Sequence, residues 1–350
     1  MKSYAFATVA LAAVARAQLL NLEDLAESVP APVAITPPFG GEAELLATRS
    51  TLRYAKRDAP SCPAQVDGTG PQPEVDSAAG FVGSKKFFDT AAAAATPDGY
   101  FNTFQNAKGS IEGVGYKTMK TIESYSPDAC ATACNEMDGC NAFNILYERN
   151  GLAKSGDGCP RPASTTIIKC TFWTVPVVKE HATNVGNGAI ETDSNQDFAI
   201  VIAASNGYVS NKFKPQPEWP GTIVPVDAAI NAPLNSNGKD TFLRSQTFPI
   251  SDDYKGSNCV KACAEQAAYE YAHSSDGGAH ACQFVNSYLL LKNGVAQSQV
   301  CSMYSQPWDA ATYATNYGQN RGDDKYTITF GLTYTNSTAA AGPVRVITAQ

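Results

Sequence analysis

The sequence predicts an α+β fold with two small antiparallel sheets, each packed on one helix that disulfide bonds attach to its sheet. All ten cysteines follow Arg57. A Cys-x3-Cys pair occurs at Cys130 and Cys134 and again at Cys259 and Cys263, and strand-like segments with further cysteines follow each pair. An even number of cysteines in an exported chain is typical of a disulfide framework.

Residues 1–17 have the pattern of a secretory signal. Lys2 gives the positive start, residues 4–14 are apolar, and cleavage is expected after Ala17. The apolar run is too short to span a bilayer. We therefore expect a secreted protein, extracellular or associated with a cell wall, that has no integral membrane segment.

Residues 18–57 resemble a propeptide. They are rich in Pro and Gly, contain no cysteine, and end at Lys56-Arg57, a dibasic pair that suits secretory processing proteases. This resembles fungal pro-proteins that are cut after Lys-Arg. Such a composition can bury little, so we expect the segment to be loosely ordered.

The remaining chain, residues 58–350, carries 20 basic and 28 acidic residues. This acidic balance and the absence of Lys/Arg runs argue against a nucleic-acid or anionic-membrane partner. Its length is sufficient for two modest hydrophobic cores.

The first helix is predicted after Ser126-Pro127-Asp128, which gives a cap, a first-turn proline and an acidic N-terminus. Cys130 and Cys134 then lie on one helix face. Residues 140–147 and 166–173 read as strands because β-branched and aromatic residues alternate there.

A second copy follows in the same order. The later helix is expected to be capped by Ser257 or Asn258, and residues 282–291 read as its first strand. We therefore divide the chain into a first unit with an N-terminal extension (58–206), a Pro-rich linker (207–236), a second unit (237–336) and a tail (337–350).

In each unit the two helix cysteines should take the two strand cysteines. We favour one arrangement, although the crossed alternative stays open, and Cys62 and Cys159 remain to pair by elimination. The favoured pairs are Cys134–Cys140, Cys130–Cys170, Cys263–Cys282, Cys259–Cys301 and Cys62–Cys159.

The run Cys130-x3-Cys134-x5-Cys140-Asn-Ala-Phe143, closed by Cys170, resembles the PAN/apple superfamily as it occurs in secreted fungal proteins. The second copy is looser, with Phe284 in the place of Phe143. The resemblance implies a small curved sheet that cradles one helix. It also implies binding to proteins or carbohydrates rather than catalysis.

No catalytic, cofactor or metal motif is present, and no cofactor is expected. Aromatic residues after the last cysteine of each copy are candidate ligand contacts: Trp173, Tyr304, Trp308 and Tyr313. Asn336 is a candidate glycosylation site. We expect a non-catalytic binding protein for a carbohydrate or an extracellular protein. The alternative is a fungal effector or elicitor that acts on a host, and a hydrolase is the weakest interpretation.

Overall fold

A computed structural model describes residues 21–41, 63–155, 161–189, 198–211, 216–224, 227–250, 254–275, 278 and 280–337. These residues form an α+β fold of mostly antiparallel sheets with few helices, so the predicted class is confirmed at that level. Within these ranges no helix is both long and apolar enough to cross a bilayer.

The first half of the chain is built on a five-stranded sheet. A short N-terminal helix and two consecutive helices precede it, and one helix lies within it. The helices are α1 (Leu22–Glu27), α2 (Ala78–Gly83), α3 (Lys85–Ala93) and α4 (Pro127–Glu136). The strands are β1 (Tyr100–Ala107), β2 (Tyr116–Ile122), β3 (Ala142–Gly151), β4 (Ser164–Trp173) and β5 (Ile202–Ser210), and a 3₁₀ turn spans Lys179–His181.

The second half is built on a six-stranded sheet around one long helix. The helices are α5 (Gly256–His273) and α6 (Ala310–Tyr313). The strands are β6 (Gly221–Ile223), β7 (Ala229–Ile230), β8 (Phe242–Pro249), β9 (Phe284–Lys292), β10 (Val295–Tyr304), β11 (Ala314–Asn316), β12 (Gly318–Arg321) and β13 (Asp324–Thr335).

Four strands have the same order in the two sheets, β5-β3-β4-β2 and β13-β9-β10-β8, whereas the fifth strand of each sheet comes from a different place in the chain. The first sheet runs β1-β5-β3-β4-β2 and the second β12-β13-β9-β10-β8, with β6 added beside β13. Each half therefore contains a strand, a helix and three further strands in the same sequence, and the pairs within both sheets are antiparallel.

Four disulfides connect the long helix of each half to its sheet. Cys130–Cys170 and Cys134–Cys140 connect α4, and Cys259–Cys301 and Cys263–Cys282 connect α5. The favoured pairing is confirmed for these eight cysteines, with Cα atoms 5.2–5.8 Å apart. The predicted Cys62–Cys159 pair lies outside the described residues.

The two helices begin differently. Ser126 accepts a hydrogen bond from the Ala129 N–H, as the predicted cap requires. The helix α5 begins at Gly256 and has Lys255 at its N-cap position, so the predicted cap at Ser257 or Asn258 is wrong. Asn258 instead donates its side-chain amide to Gln299 on β10.

A buried asparagine repeats in both halves. Asn144 accepts the Ile111 N–H and donates to the Asn206 carbonyl. Asn286 accepts the Ile230 N–H and donates to the Leu332 carbonyl. Each lies four residues after a disulfide-bonded cysteine, so the same bracket holds a neighbouring segment against the sheet in each half, a loop in the first and β7 in the second.

The segment between the halves is more ordered than its proline content predicts. β5 continues to Ser210, and β6 and β7 add strands to the second half. Trp219 is 5 % exposed and belongs to the core of the second half. Gln216 and Trp219 enclose a turn in which Glu218 has φ +63°, and the strands β6 and β7 that follow pair with β13 and β11.

Residues 21–41 also depart from expectation. Leu22 and Ala26 of α1 are buried against the second sheet, and Pro37, Gly40 and Gly41 are buried against the first half. The segment is therefore part of the packed structure rather than a loosely ordered arm.

Candidate functional site

A cleft of about 380 Å³ lies between the two halves and is the best candidate for a ligand site. Both sheets and the segment between them supply its walls. They are lined by Phe101, Thr103, Pro176, Val178, Val209, Ser210, Asn211, Val224, Asp227 and residues 329–332. The volume is within the range of small-molecule pockets and is sufficient for a large apolar side chain of a partner.

Strand alternation positions Phe101 on the first wall. Neighbouring Tyr100 faces the core and is 6 % exposed, so Phe101 faces the opposite side, where it is 48 % exposed. Phe101 pairs in register with Val209 of β5, which also lines the cleft. The edge strand thus presents an aromatic ring at the mouth of the cleft.

Phe330 forms part of the second wall with a strained backbone. Its φ is +52°, in the left-handed region that a bulky residue rarely adopts. It lies in a bulge of β13, and the Tyr254 hydroxyl donates to its carbonyl at 2.7 Å. Such strain persists only where neighbouring contacts hold it, and it is common at ligand sites.

The same bulge occurs without the aromatic ring in the first half. Ala204 has φ +49°, and the Tyr125 hydroxyl donates to its carbonyl at 2.7 Å. Ala204 has no side chain beyond its methyl group to extend from the bulge, whereas the Phe330 ring contacts core clusters of both halves. The difference at this position gives the second bulge a ring that joins the halves beside the cleft.

The tyrosine that holds the bulge is a neutral donor. Burial raises the pKa of the Tyr254 hydroxyl, and the Ser287 hydroxyl, which donates to it, opposes part of that rise. Ionisation would remove the proton that Tyr254 donates to Phe330. The high pKa therefore keeps the wall intact over the ordinary pH range.

Five polar residues interrupt the apolar lining, namely Thr103, Ser210, Asn211, Asp227 and Thr329. Thr103 Oγ1 is buried and has no hydrogen-bond partner among the described residues. Asp227 is exposed and accepts a hydrogen bond from Thr329 at 2.6 Å. A ligand with an apolar body and a few hydrogen-bonding groups matches this arrangement.

Contacts outside the cleft hold its two sides together. The Asn141 side chain donates to the Tyr254 carbonyl at 3.1 Å, and Lys255 pairs with Asp138 at 3.1 Å. His181 Nε2 lies 3.0 Å from the Gly294 carbonyl oxygen. This histidine therefore contacts the other half.

The four predicted aromatic contacts do not line this cleft. Trp173 and Tyr304 are each 1 % exposed, so a ligand has no access to their faces, which corrects their candidacy. They pack in the core because each ends a central strand opposite another aromatic or small residue. Trp308 and Tyr313 are half-buried and pack edge to face 4.9 Å apart, where they remain candidates.

Sequence reasoning missed Phe101 and Phe330. The available signal was the repeat itself, which places Phe330 where the first half has Ala204. For Phe101 the signal was strand alternation around Tyr100. Neither residue lies shortly after the last cysteine of a copy, so the pattern that identified the other aromatic residues did not identify these two.

In the part of the chain that the structure describes, no group of three or more His, Cys, Asp or Glu side chains is arranged to hold a metal ion. Asn336 is described, at the end of the second sheet, where its N–H bonds to the Gln283 carbonyl. Comparisons with protein-family models, curated proteins and solved structures found no match to this chain.

Proposed function

We propose that the chain is a secreted, disulfide-stabilised binding protein without catalytic machinery, and that its ligand is an extracellular protein. The cleft between the halves carries this proposal. Its walls are mostly apolar, and an exposed phenylalanine at the mouth can insert into, or be covered by, a partner. Exposed aromatic residues of this kind often dominate the energy of protein interfaces.

The arrangement of each half supports the same proposal. One helix is attached by two disulfides to an antiparallel sheet, in both halves. A pair of PAN/apple-like modules is expected to have this arrangement of helix, disulfides and sheet, and such modules bind proteins or carbohydrates. A protein is favoured over a carbohydrate because the cleft presents more apolar wall than hydrogen-bonding groups, whereas sugars need both.

Secretion is part of the proposal and rests on the signal pattern of residues 1–17 together with the buried disulfides. Disulfides persist in oxidising compartments and are rare in the cytosol. A fungal origin, which the Lys-Arg propeptide pattern suggests, is part of the same proposal.

Replacing Phe101 by Ala tests the site. The purified protein is screened against secreted proteins and wall polysaccharides, and each ligand found is titrated with wild type and F101A. We expect a protein ligand whose Kd rises at least about tenfold in F101A, because a large buried aromatic contact is lost.

Tyr317 provides the matched control, because it is also an exposed aromatic, 61 % accessible, and does not line the cleft. We expect Y317A to bind as wild type does. A polysaccharide ligand that ignores F101A but is lost in W308A would move the site to the Trp308–Tyr313 pair. Turnover of an ester or glycoside substrate would contradict the non-catalytic assignment.

A further inference from the structure

Residues 21–41 lie across the outer face of both sheets, the face away from the disulfide-bonded helices. Leu22 and Ala26 pack in one cluster with Leu290 and Val300 of the second sheet. Residues 36–41 then run over the first half. The segment, defined here as the strap, thus contacts both sheets on that side.

The strap contacts the first sheet through its main chain. Lys169 Nζ donates to the Pro38 carbonyl at 3.0 Å, and Glu148 Oε1 accepts the Gly40 N–H at 2.7 Å. Ile35 exchanges two backbone hydrogen bonds with Gly113. Most of these contacts are made to the backbone of the strap, and Thr36 adds a side-chain hydrogen bond to Glu112.

The floor beneath the strap is a buried ion pair. Glu148 and Lys169 are 2 % and 1 % exposed and are joined at 2.7 Å, and Asn150 donates to Glu148 as well. A buried ion pair is seldom the most stable choice, since apolar residues of similar volume are often as stabilising. Stability alone therefore does not explain why these two positions are charged.

The second half has uncharged residues at the positions equivalent to Glu148 and Lys169. Lys169 directly precedes Cys170, and Val300 directly precedes Cys301. Glu148 and Leu290 each lie eight residues after a bonded cysteine. The equivalent positions are apolar in the second half and are covered by a helix. In the first half they are charged and are covered by extended backbone.

We propose that the outer face of the first sheet is a binding site for an extended peptide, and that the strap is its resident occupant. The site requires a carbonyl over Lys169 and an N–H over Glu148, two residues further on. It selects glycine at the second position, because Gly40 has φ +86°. The two prolines of Thr36-Pro37-Pro38 favour the extended form before binding. Cleavage after Arg57 makes the occupant a separate peptide, which leaves the site open to a second peptide of the same chemistry.

The test starts from the folded full chain, which is cut with a Lys-Arg-specific protease until Asp58 is the new N-terminus. A fluorescein-labelled synthetic peptide of residues 21–41 is then added, and its binding is followed by anisotropy. We expect the label to exchange into the cut protein. A peptide with N-methylglycine at position 40 lacks the N–H that Glu148 accepts, and we expect it to bind roughly tenfold more weakly.

A peptide N-methylated at Val33 is the matched control, because Val33 is 78 % exposed, and it should bind as the parent does. The protein variant E148L/K169V copies the residues of the second half. It should fold, because it replaces an ion pair by apolar residues. It should bind the parent peptide more weakly than the wild-type protein does, and it should bind the parent peptide and the peptide with N-methylglycine at position 40 equally.

Three results would overturn the proposal. One is failure of the label to exchange. Another is equal weakening by methylation at positions 33 and 40. The third is self-association of the emptied protein in place of peptide rebinding. The proposal does not rest on the cleft, and F101A should leave peptide binding unchanged, so failure of either idea can be told from failure of the other.

Discussion

Asn144 and Asn286 are fully buried and do the same work in the two halves. Each side-chain oxygen accepts a backbone N–H from outside the main sheet, of Ile111 in a loop and of Ile230 in β7, and each side-chain amide donates to a carbonyl of the neighbouring strand. A short polar side chain is needed because both partners are main-chain groups that water cannot reach. The repeat of this bracket is stronger support for a common architecture than the cysteine spacing alone.

Replacing either asparagine by Ala is expected to destabilise the protein by about 1–3 kcal/mol, since a buried N–H loses its acceptor. Urea unfolding of N144A and N286A measures the loss. Asn235 is the control, because it caps an exposed turn through its side chain, and N235A should lose less. Equal losses in all three variants would show that the buried bracket contributes nothing special.

Phe284 shows where residue matching by type goes wrong. Sequence reasoning paired it with Phe143 because both are aromatic. Counted from the bonded cysteine, Phe284 stands where Ala142 does, and Val285 stands where Phe143 does. A shift of one residue reverses the face of a strand, so Val285 packs on the helix side and Phe284 on the other.

At the scale of elements, the two disulfides of each half close loops of very different length. Cys130–Cys170 spans 40 residues, whereas Cys134–Cys140 spans 6. The longer bridge also joins the helix to a central strand, and the shorter one only secures the turn that leaves the helix. The entropy removed from the unfolded chain grows with loop length.

We therefore expect C130A/C170A to lose about 4 kcal/mol and C134A/C140A about 2 kcal/mol of unfolding free energy. The comparison is matched because each double variant removes two buried sulfurs from one cluster. Guanidinium unfolding of both variants and the parent measures the difference. A greater loss from the short bridge would mean that native packing, rather than loop closure, decides the contribution.

Elements with local signals were predictable, and elements with distant partners were not. The helix α4 has its cap and proline at its own N-terminus, and the cysteine pairs mark their faces. By contrast, β6 pairs with β13 more than 100 residues away, and Ile35 pairs with Gly113. Composition predicted a loosely ordered segment at one place and a Pro-rich linker at the other, because the partners that order them are distant in the sequence.

At the scale of the whole molecule, core packing crosses from one half to the other. Val114 and Val175 of the first half belong to the cluster around the second helix, and Phe330 contacts clusters of both halves. The strap adds contacts on the opposite side of the sheets. Dividing the chain at residues 206 and 237 separates the two repeats of the fold, but side-chain packing crosses this boundary.

Shared packing of this kind predicts one cooperative unfolding transition. Trp173 lies in the first half, and Trp219 and Trp308 pack with the second. The variant W219F/W308F therefore reports on the first half by fluorescence, and W173F on the second. In each variant we expect the fluorescence midpoint in urea to coincide with the midpoint from far-ultraviolet circular dichroism, as two-state unfolding requires. Separate midpoints would show that the contacts between the halves, including the walls of the cleft, are too weak to couple them. A cleft that opened independently of the sheets could not hold Phe330 in its strained conformation, so the binding site and the cooperativity of the fold depend on the same contacts.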